Sequence, residues 1–260
     1  MAGSLFAVLI DLSGTVYDDD APIGAAIEAV NRLRRNPRAR IRFVTNTTKE
    51  SISRLHARLV RIGFTIDRDE IFTSLTAAKR FVLQHQLRPM LLLEDVAAED
   101  FEGINRTNPN AVVVGLAPSQ LNAERMNEAF RLIQGGAQLV AVYKARYCKR
   151  PAGLALGPGP FIQALEYAAD TKATVVGKPE KGFFLYALES LEAKISPERC
   201  VMIGDGARDD IQGAVDAGMI GILVKTGKYR PGDELTIEGG AFLCDDIAAA
   251  VELIERQLFL

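Results

Sequence analysis

The sequence has few of the residues that several common catalytic and metal centres need. It contains no tryptophan, two histidines and three cysteines. His56 and His85 lie in polar stretches with a helical pattern, so a Ser-His-Asp or Cys-His centre is not expected. The cysteines are odd in number and show no Cys-x-x-Cys spacing, which favours free thiols over disulfides or a zinc site.

The chain also lacks a strong net charge and long hydrophobic runs. Its 31 basic and 33 acidic residues leave a formal charge of −2, so no overall field points to nucleic acid or an anionic membrane. No apolar stretch approaches the roughly 20 residues that cross a bilayer. The first residues, MAGSLFAVLID, lack the basic start of a signal peptide. We therefore expect a cytoplasmic protein without nucleic-acid or membrane partners.

What the sequence does contain is a regular alternation of short apolar runs and amphipathic stretches. Its 260 residues are 48% hydrophobic and 25% charged, which is typical of globular proteins. The runs LFAVLID, PIGAAIEAVNRLRR, RIRFVTN and KESISRLHARLVRIG have the patterns of strand, helix, strand and helix, and the alternation returns after residue 174. This pattern predicts an α/β fold with a parallel, Rossmann-like sheet and right-handed crossovers.

The middle of the chain has an alternation of its own. Its runs PMLLLED, AVVVGL, SQLNAERMNEAFRLIQ and QLVAVYK are too many for a loop, so we expect an inserted second α/β domain. The predicted core domain covers residues 1–76 and 177–260, and the predicted insertion covers residues 77–176. Because GLALGPGPF is rich in glycine and proline, we expect a turn there, followed by a helix over PFIQALEYAA.

Polar residues follow the predicted strands of the core. The first strand ends at Asp11, the second at Thr45 and Asn46, a later one at Lys178 and the next at Asp205. Each residue has a plain structural interpretation, since aspartate and asparagine favour turns and helix starts. Ligands of open parallel sheets bind beyond the carboxyl ends of the strands. Polar residues at four successive strand ends therefore predict a site at one edge of the sheet.

The two carboxylates among these residues, Asp11 and Asp205, predict a metal site. On neighbouring strands they would repel each other unless a cation lay between them, and carboxylate oxygens suit Mg²⁺. Lys178 would add a fixed positive charge, and Thr45 and Asn46 would offer hydrogen-bond donors. A magnesium ion, a lysine and donors around one carboxylate are the parts of a phosphoryl-transfer site with an aspartate nucleophile.

Four stretches resemble the sequence motifs of the haloacid dehalogenase superfamily of phosphatases. They occur in the order of that family, and they are DLSGT at 11–15, FVTN at 43–46, VVGKPEK at 175–181 and MIGDGARDDIQGA at 202–214. The insertion resembles the larger, C2-type cap of the NagD-like and nitrophenylphosphatase-like branch. The resemblance covers nearly the full chain and implies a Rossmann-like core with an inserted α/β C2 cap domain.

The resemblance also implies a role for each motif residue. Asp11 would be the nucleophile that becomes an aspartyl-phosphate, Lys178 would neutralise charge, and Asp210 would orient the metal shell. The implied Mg²⁺ ligands are Asp11, the backbone carbonyl of Ser13, and Asp205. The implied phosphate-binding residues are Thr45, Asn46 and Gly14. The implied function is Mg²⁺-dependent hydrolysis of small phosphorylated compounds.

Ser13, a candidate catalytic residue, departs from the family pattern. Most catalytic members have a second aspartate here, which protonates the leaving group and later activates water. A serine hydroxyl has no pKa near neutrality, and losing an acid-base group costs about 10² to 10⁴ in rate. Two interpretations stay open. One is a phosphatase specialised for good leaving groups, such as phosphoramidates, pyrophosphate or aryl phosphates. The other is a weakly active or inactive phosphatase-like protein that acts by binding a partner.

The basic stretch YKARYCKR at 143–150 is the candidate substrate contact of the insertion. Charge clusters are often only solvated surface. The alternative hypothesis is that Lys144 or Arg146 contacts an anionic leaving group when the cap closes. The resemblance further implies pairing through the cap, so a homodimer is expected.

Two other functional classes are disfavoured by the position of the motifs. A response-regulator receiver also arranges Asp, Thr and Lys around Mg²⁺, but such domains are about half this length and carry their phospho-accepting aspartate on a later strand. A dehydrogenase is disfavoured because no Gly-x-Gly-x-x-Gly follows the first strand.

Overall fold

The computed structural model describes residues 4–150 and 153–259 of the chain. The strands are β1 (Phe6–Asp11), β2 (Tyr17–Asp18), β3 (Ala21–Pro22), β4 (Ala39–Thr45), β5 (Ile71–Thr73), β6 (Pro89–Leu92), β7 (Ala111–Val114), β8 (Gln138–Ala141), β9 (Tyr147–Arg150), β10 (Gly153–Leu156), β11 (Thr174–Val175), β12 (Cys200–Gly204), β13 (Ile220–Val224) and β14 (Phe242–Cys244). The α-helices are α1 (Ala26–Arg34), α2 (Ile52–Ile62), α3 (Ser74–Gln84), α4 (Asp95–Ala98), α5 (Ala123–Gln134), α6 (Gly159–Ala169), α7 (Lys181–Glu189), α8 (Gly213–Asp216) and α9 (Ile247–Leu253).

Two compact units make up the fold. The first takes its described residues from Met1–Thr45, Ser53–Phe72 and Lys178–Leu260, and the second from Asn46–Ile52 and Thr73–Gly177. Each unit has a sheet of parallel strands with helices between them. The predicted α/β fold is therefore confirmed.

The sheet of the first unit has the strand order β14-β13-β12-β1-β4-β5. Strand β1 runs parallel to both of its neighbours, β4 and β12. Residues from Phe6 to Ile10 are at most 1% exposed, which explains why this strand is apolar on both faces. From β1 the chain adds β4 and β5 on one side and later adds β12, β13 and β14 on the other. The carboxyl end of β1 is thus a topological switch point, where open α/β sheets bind ligands.

The second unit is built on the sheet β11-β8-β7-β6, whose strands are all parallel. Helix α5 begins after Asn122, whose side-chain oxygen accepts a hydrogen bond of 3.1 Å from the backbone N–H of Arg125. The core joins apolar residues of three strands to one face of α5 and α6. Its members are Met90, Leu92, Val112, Val114, Ala129, Ile133, Leu139, Ala141, Ile162 and Leu165.

The glycine-rich run after the basic stretch was wrongly predicted as a turn without a strand. Its first residues form β10, which pairs antiparallel with β9. The adjacent strand supplies the hydrogen-bond partners that composition alone does not reveal. The predicted helix that follows is confirmed and begins at Gly159.

Within residues 4–150 and 153–259, every helix is too short or too polar to cross a membrane.

Candidate active site

Three predicted site residues lie at the carboxyl ends of neighbouring strands. Asp11 is the last residue of β1, Thr45 is the last residue of β4, and Asp205 directly follows β12. Asp11 pairs in register with Val44 of β4, and all three polar side chains are buried. Strands β1, β4 and β12 thus carry these polar groups to one edge of the sheet, as the sequence predicts.

Lys178 also lies at this edge, but it does not end a strand of the core sheet as predicted. The strand before it, β11, has two residues and belongs to the sheet of the second unit, so Lys178 does not end a strand of the first. It lies instead three residues before the start of α7. Its buried ammonium donates hydrogen bonds of 2.5 Å to Oδ1 of Asp11 and 2.5 Å to Oδ1 of Asp210.

Asp210 lies in a short π-helical turn, Ala207–Gln212, that follows β12. Its Oδ2 accepts a hydrogen bond of 2.9 Å from the backbone N–H of Gly206. Gly204 makes the close approach possible, because a Cβ there would lie 2.4 Å from the Cβ of Asp210. The carboxylate of Asp210 is therefore fixed between Lys178 and the backbone.

The carboxylates of Asp11, Asp205 and Asp210 form one buried group, here called the carboxylate cluster. One oxygen from each lies within 4.8 Å of the others. Within the described part of the chain, Oδ1 of Asp205 is buried and has no hydrogen-bond partner. An orphaned buried oxygen calls for a partner. Hard carboxylate oxygens at this spacing fit a divalent cation such as Mg²⁺.

The pKa shifts of the cluster agree with the binding of a divalent cation. Burial raises the pKa of Asp205 to about 7, and the charges of Asp11 and Asp210 act in the same direction. Burial also raises the pKa of Asp11, although Lys178 opposes that effect. For Lys178, burial would lower the pKa, but the carboxylates of Asp11 and Asp210 outweigh it and the net shift is upward. A lysine that stays protonated and three crowded carboxylates leave the cluster short of positive charge.

A turn at residues 226–228, here called the Thr226 turn, contacts the site and was not predicted from the sequence. The Thr226 hydroxyl donates a hydrogen bond of 2.5 Å to the carbonyl of Gly14, and the N–H of Lys228 donates one of 2.6 Å to Oδ2 of Asp205. Gly14 has φ of +92°, and a Cβ there would lie 2.1 Å from Oδ2 of Asp205. The sequence signal was a glycine between polar residues directly after the apolar strand β13.

Ser13 lies at the entrance of the turn that leaves β1. Ser13 is exposed, whereas Asp11, two positions earlier, is buried. Thr15, also buried, places its hydroxyl 3.4 Å from Oδ2 of Asp11. The hydroxyl of Thr15 therefore approaches the predicted nucleophile, while Ser13 faces solvent.

The other three predicted contacts, Asn46, Lys144 and Arg146, belong to the second unit, so their roles at the site stay predictions. The guanidinium of Arg146 lies 5.8 Å from the ring centre of Tyr147. The ammonium of Lys144 pairs at 2.6 Å with the buried carboxylate of Glu166. The side chains of the last two residues of the basic stretch, at positions 149 and 150, lie outside the described part.

We expect Lys144→Met to destabilise the protein by about 2 kcal/mol, because it leaves Glu166 buried without its cation. Burial alone would raise the pKa of Glu166, but Lys144 and the N–H of Ala173 lower it. This stabilisation is present at neutral pH and is lost as the pH falls through the lowered pKa of the folded state, which lies below the ordinary 4.5. Urea unfolding at pH 7 and pH 3.5 measures both effects.

Lys172→Met is the matched control, because Lys172 is exposed and acts on Glu166 only through space. We expect it to change the free energy of unfolding by less than about 0.5 kcal/mol. Equal stabilities of the two variants at pH 7 would show that the pair of Lys144 and Glu166 contributes nothing.

Comparison with known proteins agrees with the fold and identifies the family. The model of the haloacid dehalogenase-like hydrolases matches residues 8–106, and a second model, for HAD-hydrolase-like sequences, matches residues 175–250. The chain belongs to the haloacid dehalogenase-like hydrolase family. The predicted family membership is confirmed, and with it the prediction that the protein is a hydrolase.

The chain is 57% identical over 256 residues to haloacid dehalogenase-like hydrolase domain-containing protein 2 of Pongo abelii, and the match covers 98% of each chain. It is 40% identical to the phospholysine phosphohistidine inorganic pyrophosphate phosphatase of Homo sapiens, over 95% of this chain and 93% of that protein.

Solved structures with the same fold include two phosphatases. The 4-nitrophenylphosphatase of Thermotoga maritima superposes with a TM-score of 0.86 at 24% identity, over 95% of this chain and 97% of that one. The glycerol phosphate phosphatase of Mycobacterium tuberculosis, solved in complex with magnesium, superposes with a TM-score of 0.82 at 27% identity, over 94% of this chain and 76% of that one.

Proposed function

We propose that the protein is a Mg²⁺-dependent phosphatase that hydrolyses small phosphorylated compounds through a phosphoryl group carried on Asp11. The observation that carries this proposal is the buried contact between Asp11 and Lys178 beside two further carboxylates. A structural ion pair would need one carboxylate for one lysine. Three carboxylates around one lysine instead form a site that is completed by a cation and then suited to an anionic substrate.

Asp11 has the position of a nucleophile. Its Oδ1 is engaged by Lys178 at 2.5 Å, and its Oδ2 lies toward the hydroxyl of Thr15 at 3.4 Å. A carboxylate oxygen of Asp11 attacks phosphorus, the bond to the leaving group breaks, and the electron pair departs with that group. Water then attacks phosphorus, and the aspartyl bond breaks to release phosphate and the free carboxylate.

The cation has a proposed set of ligands within the first unit. Asp11, Asp205 and the backbone carbonyl of Ser13 would hold it, and Asp210 would orient the group from beside Lys178. When bound, Mg²⁺ supplies positive charge that stabilises the oxygens of the transferring phosphoryl group. Thr45, buried at the end of β4, and the turn at Gly14 would bind those oxygens with hydroxyl and backbone donors.

The substrate class follows from Ser13. Without a carboxylic acid at this position, residue 13 cannot protonate a departing alkoxide, so leaving groups that need no proton from the enzyme are favoured. Phosphoramidates, pyrophosphate and aryl phosphates meet this condition. Two relatives are named for such compounds: the human phosphatase for phospholysine, phosphohistidine and pyrophosphate, and the Thermotoga 4-nitrophenylphosphatase.

Further features of the resemblance remain part of the proposal. The second unit would act as a cap of the C2 type with Asn46, Lys144 and Arg146 facing the substrate, the domain boundaries would fall near residues 76 and 177, and two copies would pair as a homodimer in the cytoplasm.

Removal of divalent cations tests the proposal most directly. We expect purified protein to hydrolyse p-nitrophenyl phosphate and pyrophosphate with Mg²⁺, and we expect EDTA to reduce both rates by about 10³-fold or more, because the cluster then keeps its negative charge. Excess Mg²⁺ should restore the rates. Turnover that persists unchanged in EDTA would contradict a metal-dependent mechanism.

A second candidate function is a phosphatase-like protein that acts by binding a partner. The observation that favours it is Ser13 in place of the acid-base residue. If every compound in a panel of phosphoramidates, pyrophosphate and aryl and alkyl phosphates stays intact with Mg²⁺ and with Mn²⁺, this candidate replaces the first.

A further inference from the structure

Lys228 combines a fixed backbone with an exposed side chain at the edge of the carboxylate cluster. Its N–H donates the hydrogen bond of 2.6 Å to Oδ2 of Asp205, so its Cα lies close to the cluster. The neighbouring Gly227 has φ of +56°, and a Cβ there would lie 2.1 Å from the same Oδ2. The residue Lys228 itself is exposed. The side chain of Lys228 therefore begins at a fixed point beside the cluster and is accessible to solvent.

The net charge of the site indicates that a further cation would help to bind an anionic substrate. With Mg²⁺ bound, three ionised carboxylates would carry −3, Lys178 +1 and the ion +2, which sums to zero. A phosphate monoester dianion then brings −2 into a neutral site. Lys178 already donates to two carboxylates. Another cation at the edge would balance part of the charge of the substrate.

The electrostatic coupling of Lys228 to the cluster supports this placement. Desolvation lowers the pKa of Lys228, but the charges of Asp11, Asp210 and Asp205 outweigh it and the net shift is upward. In the reverse direction, the charge of Lys228 lowers the pKa of Asp11 and of Asp205 against the larger effect of burial. The ammonium is thus near the carboxylates, whereas it is the backbone N–H of Lys228 that bonds to Asp205.

We propose that the ammonium of Lys228 binds the dianionic phosphoryl group of the substrate at the mouth of the site. This inference rests on the proposed function, because it assigns a further residue to the same substrate. The backbone of the Thr226 turn positions Asp205, and the side chain of Lys228 receives the phosphate. The two tasks can be separated experimentally, because a side-chain substitution keeps the N–H that bonds to Asp205.

The test compares Lys228→Met with the wild-type chain and uses Lys225→Met as the matched control. Lys225 is three positions earlier and exposed, and its ammonium pairs at 2.9 Å with Asp245. We expect Lys228→Met to bind inorganic phosphate about tenfold more weakly in calorimetry with Mg²⁺ present, because one contact between a cation and the dianion is lost. Lys228→Arg should stay close to wild type, and so should Lys225→Met.

The affinity for a divalent cation, measured without phosphate, distinguishes this role of Lys228 from a purely structural one. Removing a positive charge beside the cluster reduces its repulsion toward a divalent cation, so Lys228→Met should bind Mn²⁺ about threefold more tightly. Weaker phosphate binding together with tighter Mn²⁺ binding supports the inference.

Other outcomes overturn it. Weaker binding of both ions would mean that the substitution only disturbs the Thr226 turn, and phosphate binding equal to that of Lys225→Met would mean that the ammonium does not meet phosphate. Both measurements use binding alone, so the inference can hold even if the wild-type protein hydrolyses no compound, which is the result that would count against the proposed function.

Discussion

Asp11→Asn is expected to lower kcat by about 10⁴-fold or more for every phosphorylated substrate. An amide oxygen is a poor nucleophile, and it cannot form the aspartyl-phosphate on which the proposed reaction depends. Asp210 is not available to replace it, because its carboxylate is held by Lys178 and by the N–H of Gly206. Steady-state hydrolysis of p-nitrophenyl phosphate with Mg²⁺ measures the loss.

The same variant should remain folded. Asparagine has nearly the volume of aspartate, and the substitution removes one of three crowded negative charges. The ammonium of Lys178 keeps its contact of 2.5 Å with Asp210. We therefore expect the free energy of unfolding of the metal-free protein to change by about 1 kcal/mol or less, as the lost contact with Lys178 and the relieved repulsion oppose each other.

Asp18→Asn provides the control, since Asp18 is an exposed carboxylate on the short strand β2 after the same turn. It should leave kcat unchanged. Activity of Asp11→Asn comparable to that of Asp18→Asn would show that another residue is the nucleophile. Loss of activity in a variant that retains cooperative unfolding would support the assignment of Asp11.

The residues at this edge of the sheet could be predicted from the sequence, because a buried strand is recognisable from its own apolar residues. The apolar run before Asp11 has no polar face, as expected for a central parallel strand, and the same holds for the strand before Asp205. Once both are central parallel strands, their ends must meet at one edge. This reasoning brings together Asp11, Thr45 and Asp205 from separate stretches of the sequence.

Other parts of the site depend on contacts that no local pattern encodes. Lys178 was predicted at the end of a core strand, yet β11 pairs with β8 of the other sheet. The Thr226 turn contacts a residue more than 200 positions earlier, through the hydrogen bond of Thr226 to Gly14 at 2.5 Å. Its sequence is consistent with any polar turn after a strand. Only the fold shows which carbonyl and which carboxylate this turn contacts.

Ser13→Asp is expected to raise kcat/KM for alkyl phosphates by about 10²-fold or more and to change it little for p-nitrophenyl phosphate. An aspartic acid at this position can protonate a departing alkoxide, whereas nitrophenolate leaves without a proton. The exposed position of residue 13 allows a carboxylate without the cost of burial. The slope of log kcat/KM against the pKa of the leaving group, measured over a series of aryl and alkyl phosphates, should be shallower in the variant.

Ser13→Asn separates acid catalysis from shape, because asparagine matches aspartate in size and offers no acidic proton. It should keep the steep slope of the wild-type protein. If Ser13→Asp and the wild-type protein are equally sensitive to the leaving group, Ser13 does not set the substrate class. If Ser13→Asn gains as much as Ser13→Asp, the change acts through packing at the turn between Asp11 and Gly14. A gain confined to Ser13→Asp would mean that the site lacks only an acid, and that compounds needing none are its natural substrates.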